Sequence, residues 1–240
     1  MLLALRIGPV FAFAPPFTLT RVPALFRVLL ALGLAAALVG GNRAATAITD
    51  LGLYNLVFTA VRELALGSVF VLAFQMAFGA LYMAGRTIDI QAGFGLAMLI
   101  DPTTRTQTPL VGTVFAYAAG AVFFAMDGHS QLLRLFAVIL QAVPLGTWTM
   151  PGSLAGLTTF IGVIFMTAFG VAGGTILALF LADLAITLLS RTVPQMNVLV
   201  LGFQVKTLLL LIALPATLGF VGALLARMMV MTLEAIPRLM

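Results

Sequence analysis

His129 is the only histidine in the chain, cysteine is absent, and carboxylates number seven. Asp127-Gly128-His129 places two metal-capable side chains close together, but a third and fourth ligand would have to come from far away in the sequence. The triplet reads better as a polar turn, with Gly128 permitting the bend. Ser130 follows directly. Neighbouring residues on a helix diverge by about 100°, so His129 is badly placed to act as its base. Asp127 and Asp183 lack the paired, activated surroundings of an aspartyl protease. Gly93-Phe94-Gly95 is too short for a dinucleotide fingerprint and follows no strand. The sequence therefore points away from an enzyme and implies no cofactor and no metal.

Ionisable groups beside apolar runs are more informative, because a charge removed from water must pair or face a cavity. Arg86 and Asp89 stand at i, i+3 and can pair on one helix face. Arg62 and Glu63 are expected at the start of a long helix. Lys206, the only lysine, lies between Leu199–Val205 and Thr207–Leu214, so a partner carboxylate is expected from this chain or a neighbour. The most polar stretch is Asp101, Pro102, Thr103, Thr104, Arg105, Thr106, Gln107, Thr108 and Pro109. Polar irregular backbone at membrane depth is tolerated only inside protein or along a cavity.

The elements that must position these groups are apolar throughout. Of 240 residues, 62% are hydrophobic and 8% charged, with eleven Arg, one Lys and a net charge of +5. A soluble domain of this size carries about 25% charged residues; here lipid or a surrounding oligomer must cover the surplus apolar surface. The cations are scattered singly and almost evenly over alternate connections, which argues against a nucleic-acid face and gives no orientation bias. Charge-free runs cover Val28–Gly41, Leu64–Gly85, Thr106–Met126, Leu135–Ala182 and Thr207–Ala226. Their length and continuity predict helices, with no alternation of the barrel kind. Met1–Phe17 is interrupted by Pro9, Pro15 and Pro16 and is expected to form short or re-entrant pieces. Leu135–Ala182 is too long for one crossing and should divide near Pro144, Gly146, Pro151 and Gly152. Pro215 is the expected kink in the last run. Gly152–Gly156 and Gly170–Gly174 carry small residues at spacings that suit close helix packing. The expected fold is all-α and polytopic, a single integral domain over 1–240 with broken helices.

Three segments carry a family resemblance. Phe94-Gly95-Leu96-Ala97-Met98-Leu99-Ile100-Asp101-Pro102 with its Thr-rich continuation is the first, and Met126-Asp127-Gly128-His129 with Leu132-Leu133 the second. The third is Val193-Pro194-Gln195-Met196-Asn197-Val198-Leu199-Val200-Leu201-Gly202-Phe203, then Lys206. Arg6-Ile7-Gly8-Pro9 and Arg62-Glu63-Leu64 with Gly67 also fit. Together, in this order, they resemble the FliR family of flagellar protein-export subunits, which is related to the SctT-type subunit of injectisomes. Gln204 departs from the proline usual there, and the leader before Arg6 is short.

The resemblance implies a non-catalytic channel subunit of a flagellar type III export gate in the bacterial inner membrane, within the basal body. Its implied partners are FliP-type and FliQ-type subunits, with FlhB-type and FlhA-type components, unfolded export substrates and membrane lipid. It implies a helical hetero-oligomer built of helical hairpins, with 1–150 FliP-like and 151–240 FliQ-like. It also implies that Asp101–Pro109 plugs the closed pore and that Gln195, Asn197, Phe203 and Lys206 serve subunit contacts. A solute transporter coupled through Asp101, Asp183 or Lys206 is the alternative; it should show internal repeats, and no motif occurs twice.

Overall fold

A computed structural model describes residues 1–19, 22–42, 52–94, 109–149, 155–193, 195 and 197–239. Every regular element among them is helical: α1 (Leu2–Phe13), α2 (Pro15–Thr18), α3 (Ala24–Gly41), α4 (Leu53–Gln91), α5 (Leu110–Ala125), α6 (Gly128–Ala142), α7 (Ala155–Thr192) and α8 (Val198–Leu239). By length and composition, α3, α4, α7 and Leu199–Gly219 of α8 can each cross a membrane, and α5 with α6 forms a bent pair that adds a fifth candidate. The chain is a polytopic helical membrane protein.

The charge-free runs mark the helices but understate them. α4 begins at Leu53, well before Arg62 and Glu63, and α7 continues past Asp183 to Thr192. A helix is not ended by a charge that finds a partner. Proline acts selectively as well. Pro9 lies inside α1, whereas Ala14, which precedes Pro15, is extended at φ −72°, ψ 131° and separates α1 from α2. The residue before a proline is pushed out of the α region, and proline itself is welcome in a first turn. Pro215 is contained in the single element α8.

The break between α5 and α6 has a local cause. Asp127 adopts φ 56°, ψ 30°, a left-handed conformation. A Cβ on Gly128 would lie 2.7 Å from the Phe123 carbonyl oxygen, so only glycine fits there.

The contacts divide the chain into two compact units, each assembled from separate segments. One contains Met1–Ala77, Phe123–Gly162 and Met229–Met240; the other contains Phe78–Val122 and Val163–Met228. In the first unit the core is aromatic: Phe70 stacks on Phe136 with ring centroids 4.6 Å apart, and Phe74 meets Phe123 edge-on at 5.6 Å. There α1 crosses α4 at Gly67, where a Cβ would sit 2.5 Å from the Arg6 carbonyl oxygen. In the second unit α4 crosses α5 backbone to backbone, a Cβ on Gly85 falling 2.3 Å from the Gly112 Cα. Thr175 of α7 and Thr217 of α8 share a hydroxyl hydrogen bond of 2.8 Å. Among the described residues, a Cβ on Gly170, Gly173 or Gly174 would meet nothing within 4 Å, while Val171 and Ala172 between them are buried, so the glycines of this stretch are not its points of close approach.

Candidate functional site

Two charged centres organise the two units. In the first, Arg6 of α1 and Glu63 of α4 form an ion pair with both side chains fully buried. Arg6 donates from Nε at 2.6 Å and from a terminal nitrogen at 3.0 Å to the two carboxylate oxygens. Its other terminal nitrogen donates to the Val143 carbonyl at 3.0 Å. Glu63 also accepts the Gly146 N–H at 2.9 Å, and Arg62 donates to the Gly146 carbonyl at 2.8 Å. Arg62 stands 4.2 Å over the Phe58 ring as well. Burying two charges is costly, and only a bidentate pair whose remaining groups are also hydrogen-bonded recovers that cost. Gly146, at φ 77°, makes the turn that presents its N–H to Glu63. The arrangement staples α1, α4 and the turn after α6 together.

In the second unit Lys206 of α8 pairs with Asp183 of α7, its side chain 17% exposed and that of Asp183 41%. The same ammonium donates to the Gln91 carbonyl at 3.1 Å. Gln91 is the last residue of α4, where carbonyls lack intrahelical partners and the helix dipole is negative. Just beyond, Gly93 takes φ 91° and Phe94 meets Phe203 of α8 at 6.2 Å between ring centroids. The expected carboxylate partner of Lys206 is thus supplied by this chain.

Asp89 has a different partner from the one its spacing to Arg86 suggested. Both of its carboxylate oxygens accept the Val111 N–H at 3.2 Å, at the start of α5. A carboxylate is favoured at a helix N-terminus, where N–H groups are free. The two ion pairs among the described residues are Arg6–Glu63 and Lys206–Asp183, and Arg86–Asp89 is not one of them.

Among the other expected positions, Asp101, Pro102, Thr103, Thr104, Arg105, Thr106, Gln107 and Thr108 lie outside the described residues; Pro109 is described and buried. Gln195 and Asn197 are exposed. The Asn197 side-chain oxygen accepts the Val200 N–H at 3.3 Å, capping α8. Cap geometry of this kind has a sequence signal, an Asn just before an apolar run. Phe203 is 43% exposed beside Phe94. His129 lies in the first turn of α6, its ring 6.0 Å from that of Phe124. Sequence reasoning missed the Arg6–Glu63 pair; the available signal was an isolated arginine inside an apolar first helix, which demands a partner.

The pattern of the family described as bacterial export proteins, family 1, matches residues 1–231. The chain belongs to that family. The flagellar biosynthetic protein FliR of Bacillus subtilis (strain 168) is 29% identical over 245 residues, covering 100% of this chain and 93% of that protein. FliR of Escherichia coli (strain K12) is 29% identical over 160 residues, covering 66% of this chain and 61% of its own length. The Yop proteins translocation protein T of Yersinia pestis is 26% identical over 157 residues, covering 64% of this chain and 60% of that protein. Within this export family, both ion pairs fall inside the matched span.

Proposed function

We propose that this chain is a non-catalytic channel subunit of the flagellar type III export gate in the bacterial inner membrane. With FliP-type and FliQ-type subunits it forms the conduit for unfolded export substrates, and FlhB-type and FlhA-type components adjoin it. The observation that carries this reading is the family match over residues 1–231 together with alignment to nearly the whole of the Bacillus flagellar protein. The apolar surface supports it. Leu199, Leu208, Leu211 and Ile212 on α8 and Met166, Leu177 and Leu188 on α7 are each more than half exposed. α7 and α8, of 38 and 42 residues, exceed the roughly 20 needed to cross a bilayer, so lipid alone does not cover their length. Partner helices fit that surplus.

In this reading Asp101–Pro109 faces the central pathway and helps hold it shut. The resemblance supplies that role. Gln195 and Phe203, both exposed, meet a FliQ-type neighbour, as does the Asn197 amide nitrogen left over from capping. Asp183 and Lys206 neutralise each other, so neither of these two offers the uncompensated charge that the transporter alternative needs.

Co-purification with FliP-type and FliQ-type partners, together with restoration of export in a strain lacking the chain, is the test. The expected result is a stable hetero-oligomer and restored export; a monodisperse lone chain that exports nothing overturns the reading. For the plug, deletion of Thr103–Thr108 is expected to leave the complex assembled but conductive to ions. An ion-tight deletion complex overturns that part alone.

A further inference from the structure

We propose that Lys206 is the bolt of a reversible latch that fastens the C-terminal end of α4 to the α7–α8 hairpin. The proposal rests on the export reading only for its functional arm; its structural arm stands on contacts within one unit. Two groups converge on the ammonium that α8 carries, the Asp183 carboxylate of α7 and the Gln91 carbonyl that ends α4, so three helices meet at one charge. Removing the ammonium leaves one carboxylate facing the negative end of a helix dipole, which weakens the hold of the hairpin on the end of α4.

The latch is built to release. Asp183 is 41% exposed, so water can replace the lysine at little cost. Immediately beyond the bolted residue the chain can pivot. The Gly93 N–H closes on the Ile90 carbonyl at 3.1 Å, and Gly93 sits at φ 91°, a conformation that glycine adopts readily. Phe94 then rests against Phe203, a contact made by one ring edge on a side chain 43% exposed. A glycine pivot just after a partly exposed ion pair gives Phe94 two arrangements: docked on Phe203 of the hairpin, or free of it. Export then requires the free one at some stage.

Because the chain has no cysteine, Phe94→Cys with Phe203→Cys reports this contact without background from the chain's own thiols. In the assembled complex a short bifunctional maleimide should link the two positions, and linked complexes should export at less than a tenth of the unlinked level. Adding Lys206→Met should cut the linking yield several-fold. Amide exchange at residues 90–94, measured in a complex with native Phe94 and Phe203, should rise about two- to fivefold in Lys206→Met and in Asp183→Asn. Linked complexes that export normally overturn the latch, as do unchanged exchange rates in both variants. Failure of the export reading looks different: removing the whole chain would then leave export intact, whatever the linking result.

Discussion

Arg6–Glu63 and Lys206–Asp183 have the same chemistry and opposite surroundings. The first pair is fully buried, bidentate, and tied to the backbone at Val143 and Gly146. The second is partly exposed and shares its cation with one helix-end carbonyl. A charge sealed from water binds its surroundings into one arrangement, because parting the pair strands two ions in an apolar medium. A charge at the edge of water has somewhere else to go. One unit is therefore stapled by its ion pair, while the other is only fastened.

The largest effect is expected from removing one buried partner. Glu63→Ala leaves the Arg6 guanidinium without its counter-ion and frees the Gly146 N–H as well. The expected cost is about 3–5 kcal/mol, read as loss of folded chain from the assembled complex in mild detergent. Arg6→Met with Glu63→Met removes both charges and should restore much of that loss. A single variant as abundant and heat-resistant as the native chain would show that the staple is decorative.

Next in size are the helix crossings that each unit builds on glycine. Gly67→Ala drives a Cβ to 2.5 Å from a backbone oxygen, and Gly85→Ala drives one to 2.3 Å from the Gly112 backbone. Neither clash can be relieved by turning a side chain, so each should cost about 1–3 kcal/mol, visible as a lowered melting temperature of the complex. Gly173→Ala, which meets open space, is the control and should be neutral within the chain.

Those glycines show what the sequence made legible and what it did not. Helix class, number of apolar runs and the break at Asp127-Gly128 follow from local chemistry, since charge-free length and a glycine turn are read directly. Close crossings depend on which helix faces which glycine. The pattern at Gly170–Gly174 looked as good for packing as any, yet its glycines face open space among the described residues and Val171 and Ala172 carry the burial there, whereas Gly67 and Gly85 are points of backbone contact. Asp89 carries the same lesson: its spacing to Arg86 is ideal for a pair, but the free N–H at the start of α5 lies nearer. For Lys206 the demand for a carboxylate was legible, and the choice of Asp183 needed the hairpin. Asn197, expected as an interface residue, first serves its own helix. Asn197→Ala should cost about 1 kcal/mol through the lost cap, and a matching loss of helicity near residue 200 by amide exchange would separate that effect from lost assembly.

The smallest expected effect is the most informative about the comparison. Lys206→Met removes an ion pair that water already reaches, and exposed pairs are worth about 0–1 kcal/mol. Global stability of the complex should hardly change. Salt provides the control that mutation cannot. At about 1 M ionic strength the screening length falls to about 3 Å, so salt should loosen the partly exposed Lys206–Asp183 pair and leave the sealed Arg6–Glu63 pair untouched. Amide exchange at residues 90–94 should therefore accelerate with added salt in the native chain. In Lys206→Met it should be fast already and indifferent to salt. Exchange around Gly146 should stay slow at every salt concentration, because its N–H is held on a carboxylate that screening ions cannot reach. If both regions respond alike, burial does not divide the two pairs, and the distinction between staple and latch fails with it.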